Sequence, residues 1–114
     1  MHNIPNRIAD VLLQVETTLR IHDRWDRKQP PAEALHSTQP FCIDTLRFEQ
    51  WLQWIFLPRM KTILEDGKPL PQKSAIFTYA EQCLHKDDPP TTDLLENIRR
   101  FDELIAIQSA ARHH

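Results

Sequence analysis

The chain has 114 residues, with 9 prolines, 1 glycine, 2 cysteines and a formal net charge of −2. That length suits one domain spanning 1–114. Gly67 alone cannot supply a G-x-G-x-x-G fingerprint, a phosphate-binding loop or a nucleophile elbow, and the charge balance argues against a broad basic nucleic-acid surface.

Arg7 and Asp10 interrupt the apolar run that a secretory leader would need, and Trp54-Ile55-Phe56-Leu57 is too short to span a bilayer. The expectation is a cytoplasmic protein with reduced thiols and no membrane contact. A single Cys42–Cys83 disulfide is the minor alternative.

Prolines divide the chain into four stretches of helical period. The first helix is expected from about Asn6, as N-cap, to Trp25, with Ile8, Val11, Leu12, Val15, Leu19 and His22 on one stripe. A long link from Asp26 to Asp44 follows and should pack over the helices or serve function. The second helix is expected from about Thr45 to Asp66, capped by Asp44 or Thr45, and wide enough in its apolar face to be central. Pro58 has no amide to give the Trp54 carbonyl, so a kink or break is expected near Leu57. Gly67 suits the left-handed position after the helix, with Pro69 beyond it.

The third helix is expected from Ser74, as N-cap, to His85, with Ile76, Tyr79, Ala80, Cys83 and Leu84 inward. The fourth runs from about Thr92 to Ser109, capped by Thr91 or Thr92, with Leu94, Leu95, Ile98, Phe101, Leu104 and Ile105 inward. Residues 110–114 should fray. No stretch reads as a strand. The fold class is all-α: one compact four-helix bundle with a long crossover between its first two helices and a kink at Pro58.

Catalytic chemistry is poorly supported. His22, Asp23 and Asp26 lack metal-site spacing, and His22 continues an apolar stripe. Cys83 and His85 are two apart on a helix and diverge by about 200°. Cys42 precedes a helix start, with His36 as a conceivable base, but an unpaired cysteine is most often a small buried apolar residue. Asp87-Asp88 and Glu65-Asp66 read as solvated turns. No catalytic residue, metal or cofactor is expected.

The aromatic run Phe48-Glu49-Gln50-Trp51-Leu52-Gln53-Trp54-Ile55-Phe56 is the informative feature. Its rings cannot all face one side of a helix. Trp51 is assigned to the core, and Pro58 and Gly67 are structural. The interaction surface is assigned to Gln53, Trp54 and Arg59, rimmed by the loop carrying Ser37, Gln39 and Phe41, since Trp and Arg are enriched at interface hot spots.

Ser37-Thr38-Gln39-Pro40-Phe41, Asp44-Thr45, Trp51-Leu52-Gln53-Trp54, Pro58-Arg59-Met60 and Pro69-Leu70-Pro71, in that order, resemble the bacterial YqcC-like family. The likeness covers nearly the whole chain. It implies a small all-helical bundle of unknown function. Through the family's gene-neighbourhood association with tRNA pseudouridine synthase C, it also implies a partner. It carries no catalytic residues. The expected function is a non-catalytic protein-binding module that docks an RNA-modifying enzyme such as a tRNA pseudouridine synthase. The alternatives are a small RNA-binding accessory protein, for which the basic residues give a weak signal, or a homo-oligomeric structural protein such as a homodimer.

Overall fold

Ile8, Val11, Leu12, Val15 and Leu19 are buried along one face of α1 (Ile4–Ile21), and Leu13, off that stripe, is 60% exposed. The computed structural model describes residues 3–84 and 89–112, all-helical with no strand among them. The N-cap of α1 is Asn3 rather than Asn6: the Asn6 amide donates to Asn3 Oδ1 at 2.8 Å. The helix also stops at Ile21, short of Trp25. Asp23 turns left-handed (φ 58°), and the Arg24 amide donates back to the Leu19 carbonyl at 2.8 Å, closing the last turn.

The crossover holds the short α2 (Ala32–Leu35) and a 3₁₀ turn, Pro40–Cys42. Asp44 and Thr45 do not cap the next helix, because both are engaged inside this loop. Asp44 Oδ1 accepts from Ser37 Oγ at 2.5 Å, and Thr45 Oγ1 donates to the Ala34 carbonyl at 2.7 Å. The helix therefore begins three residues past Thr45, as α3 (Phe48–Trp51), and the Gln50 side chain accepts the Arg47 amide at 2.9 Å.

α3 runs without a break through a π-helical turn, Leu52–Phe56, into α4 (Leu57–Glu65). The irregularity expected near Leu57 takes the form of this widened turn, and the helix is continuous through Pro58. The Leu57 amide donates to the Leu52 carbonyl, five residues back, so one extra residue enters the turn just before the proline. A regular turn would press the Pro58 ring on the Trp54 carbonyl, and the wide turn is the helical alternative to breaking there. The end of α4 matches the sequence pattern: Gly67 is left-handed (φ 65°), and the Lys68 amide donates to the Ile63 carbonyl at 3.0 Å.

α5 (Ile76–Cys83) is shorter than the expected third helix and has no cap of its own. Ser74 is instead a donor to Asp102 of α6 (Pro89–Arg112), and Asp102 Oδ2 accepts the Phe77 amide at 2.8 Å. A carboxylate from another helix thus satisfies the first turn of α5. Asp102→Ala should cost about 1–2 kcal/mol, the usual worth of an N-cap, by denaturant unfolding. A loss within about 0.5 kcal/mol would show that water replaces the carboxylate freely.

α6 begins at Pro89, before Thr91 and Thr92, because proline is tolerated in a first turn. Thr91 is thus inside the helix, 1% exposed, with its Oγ1 accepting from Arg24 Nη1 at 3.2 Å. The helix continues through 110–112, where fraying is expected from the sequence. His85, Asp87, Asp88, His113 and His114 lie outside the described residues, so the expected helix end at His85, the Cys83–His85 pair and the Asp87-Asp88 turn do too.

α1 packs along α6, α5 packs on α6, and α4 touches α1. The buried stripe of α1, the full expected stripe of α6 and the faces of Leu52, Phe56, Leu57, Met60, Ile76 and Ala80 share one core. Phe56 meets Phe101 edge-on, ring centroids 4.9 Å apart. Cys83 is exposed and Cys42 buried, and both are free thiols.

Candidate docking groove

The interaction surface expected from the sequence divides into two places. Ser37, Gln39 and Phe41 belong to a loop that packs toward α3 and α5. The Ser37 hydroxyl accepts the Gln39 amide at 3.0 Å. Phe41 and Cys42 are both left-handed (φ 57° and 50°), a conformation that non-glycine residues hold only against strain. Phe41 is held there by stacking on Tyr79 at 4.3 Å and meeting Trp51 edge-on at 4.8 Å.

Tyr79 reports on that packing. Loss of water pushes its phenol up to about 12, with the neighbouring Cys83 adding to the rise. It is the chain's 1 tyrosine, so an ultraviolet titration reads it without interference. The midpoint should fall near 12 rather than 10.0. The stability linked to this shift is complete below the unfolded-state pKa of about 10 and is lost as pH rises through the folded-state value. A midpoint near 10 would mean that the phenol is solvated and the loop does not cover it.

Trp54 and Arg59 lie elsewhere. Arg59 is exposed, and Trp54 is half-buried. Gln53 is corrected from surface to interior: it is 4% exposed. Its Oε1 accepts the Asp26 amide at 2.7 Å, and its Nε2 donates to the Asp26 carbonyl at 2.8 Å. Gln50 Nε2 donates to Asp26 Oδ2 at 3.1 Å, and Arg47 stands 3.6 Å from Oδ1. The segment after α1 is thereby clamped to the π-helical turn.

The clamp sets Trp25 opposite Trp54. Between them opens a groove of about 570 Å³ lined by Trp25, Trp54, Leu57 and Pro58, with Arg20, Arg27, Lys61, Asp26 and Gln53. The loop residues Ser37, Gln39 and Phe41 are not among its walls, nor is Arg59. Arg20 lies 4.3 Å from the Trp25 ring centre, in cation–π geometry. Glu16 holds Arg20 Nε and Lys61 Nζ, each at 3.0 Å. Partial burial pushes the Glu16 carboxyl up, but Lys61 and then Arg20 outweigh it and hold the group below the ordinary carboxylate range. Trp54 Nε1–H is buried without an acceptor among the described residues.

Periodicity carries the first helix through Trp25 and so hides this wall. The available signal is a tryptophan beyond the last stripe residue, flanked by Arg24 and Asp26. Chemically the groove offers an apolar floor and three cations against one carboxylate. His22, Asp23 and Asp26 do not assemble a site: His22 faces Asp93 at 4.0 Å, and no group of three or more His, Cys, Asp and Glu among the described residues could hold a metal. No helix among the described residues is long and apolar enough to cross a membrane.

Fold and groove define a small all-helical protein with a pre-shaped apolar cleft on its surface. The chain belongs to the YqcC-like family. Residues 7–104 match the family model DUF446, described as tRNA pseudouridine synthase C. Over 101 residues it is 36% identical to the uncharacterized protein YqcC of Escherichia coli K12, covering 89% of this chain and 93% of that one. An uncharacterized Haemophilus influenzae protein is 39% identical over 99 residues, covering 87% and 92%. The solution structure of E. coli YqcC shares the fold with a TM-score of 0.80 and 34% identity, over 92% of this chain and 90% of that one. A 67-residue stretch, 59% of this chain, is 42% identical to a segment making up 18% of a Pectobacterium carotovorum protein named tRNA pseudouridine synthase C.

Proposed function

We propose that this chain is a non-catalytic cytoplasmic accessory module that docks an RNA-modifying enzyme such as a tRNA pseudouridine synthase. The supporting observation is that a segment 42% identical to this chain forms 18% of a longer polypeptide bearing that enzyme's name. Covalent linkage presents one domain to another at an effective concentration of about millimolar. A separate chain would achieve the same pairing by binding. The helical scaffold suits the role. Counted as a four-helix bundle of α1, the continuous 48–65 helix, α5 and α6, it leaves the crossover and the groove outside its core.

Mixing the chain with the tRNA pseudouridine synthase C of the organism that encodes it, and measuring mass after size exclusion at low and moderate salt, tests the reading. A complex that persists at both salts is expected. Separate elution at both overturns it. Retention of tRNA alone, lost steeply as salt rises, would favour the RNA-binding accessory instead. A doubled mass without the synthase would favour the homodimer.

A further inference from the structure

The groove between Trp25 and Trp54 is built to stay open. Gln53 fixes the Asp26 backbone at both its amide and its carbonyl, so the wall carrying Trp25 is held by two partly buried hydrogen bonds rather than left to move. A site held in its binding shape loses less conformational freedom when it is filled. Its floor is apolar, and the half-buried Trp54 and exposed Pro58 leave ring surface there that gains by covering an apolar side chain.

Its charge runs against that of the molecule. Arg20, Arg27 and Lys61 line it with Asp26 as the one carboxylate, whereas the whole chain carries −2. Asp26 is already engaged with Gln50 and Arg47. Arg27 is exposed and makes no ion pair among the described residues. Trp54, in the floor, has its buried indole N–H without an acceptor among the described residues.

We propose that this groove receives a short acidic segment of a partner protein, which seats one apolar side chain on Trp54 and Pro58 and sets a carboxylate against Arg27. The assignment deepens the docking function above and rests on it for the existence of a protein partner. A nucleic-acid occupant fits less well. Stacking platforms offer open ring faces, but one face of Trp25 is covered by the Arg20 guanidinium at 4.3 Å. Two of the three cations are already held by Glu16, and the remaining surface would repel a polyphosphate.

The test uses the full chain labelled with ¹⁵N and three probes. One is a short capped peptide with a central leucine–phenylalanine pair between runs of glutamate. The second is its lysine-flanked counterpart, and the third is a short oligouridylate. The indole N–H signals of Trp25, Trp51 and Trp54 are followed. The glutamate peptide should shift Trp25 and Trp54 saturably, leave Trp51 in place, and bind about tenfold more weakly to Arg27→Glu, as expected when a complementary charge is reversed. Arg27 is exposed, so the variant's unchanged spectrum elsewhere certifies its fold. Equal shifts with the lysine peptide, shifts with the oligouridylate alone, or no shift with any probe would each overturn the proposal. No synthase is present in this experiment. Failure here therefore leaves complex formation to be judged by size exclusion, and failure there leaves the groove to be judged by these signals.

Discussion

Trp51→Ala should lower the unfolding free energy by about 3 kcal/mol, toward the lower end for large-to-small aromatic replacements. The indole is enclosed by three rings: Phe41 at 4.8 Å, Phe48 at 6.0 Å and Phe56 at 5.4 Å. Removing it takes away one partner from each and leaves a void that neighbours fill only in part. Its partial exposure keeps the effect from the top of the range. Urea unfolding followed by far-ultraviolet circular dichroism gives the number without relying on tryptophan emission. A loss below about 1 kcal/mol would place Trp51 functionally on the surface. The variant should also release the 37–42 loop, since Phe41 loses its edge-on contact, and that release should bring the Tyr79 titration midpoint down.

Gln53→Ala should cost about 2–3 kcal/mol, because it strips partners from a backbone donor and a backbone acceptor at once. Both groups belong to Asp26, at 2.7 Å and 2.8 Å. The accompanying change is local: amide exchange should accelerate around 22–28 while the α1–α6 core keeps its protection. A stability loss under about 0.5 kcal/mol, with exchange unchanged, would mean that water replaces the glutamine and that the clamp does not hold the groove.

These two residues mark where sequence reasoning reaches and where it stops. The stripes of α1 and α6 are legible because a 3.6-residue period acts within one element, and every hydrophobic residue assigned to them is buried. The end of α4 is legible because glycine at a left-handed position is a local requirement. Asp102 capping α5 is illegible, since donor and acceptor are 25 residues apart and nothing in α5 announces a borrowed carboxylate. Gln53 misleads for a related reason. A polar residue among exposed-looking rings reads as surface, yet its partners come from a segment 27 residues earlier. Trp25 is missed because the helix closes on Asp23, and the ring then sits in a turn whose direction depends on that clamp. Pro58 signals an irregularity in the right place, but a kink or break does not specify that the helix widens by one residue.

The extra residue in the 52–56 turn behaves as a frame shift in the helical register. It changes the angular phase of everything downstream relative to α3, so Phe48 before it, Leu52 at its start, and Leu57 and Met60 after it all reach the same core. Each residue of an α-helix advances the side-chain direction by about 100°. Deleting one residue there would restore a regular turn and rotate α4 away from α1 by roughly that angle, carrying Lys61 from Glu16 and Pro58 from the groove. Length in this short stretch is consequently fixed by geometry, whereas the crossover between α2 and the 3₁₀ turn can vary without changing the phase of any core helix. Insertions and deletions accumulated by relatives of this chain should be absent from 52–56 and permitted around Thr38.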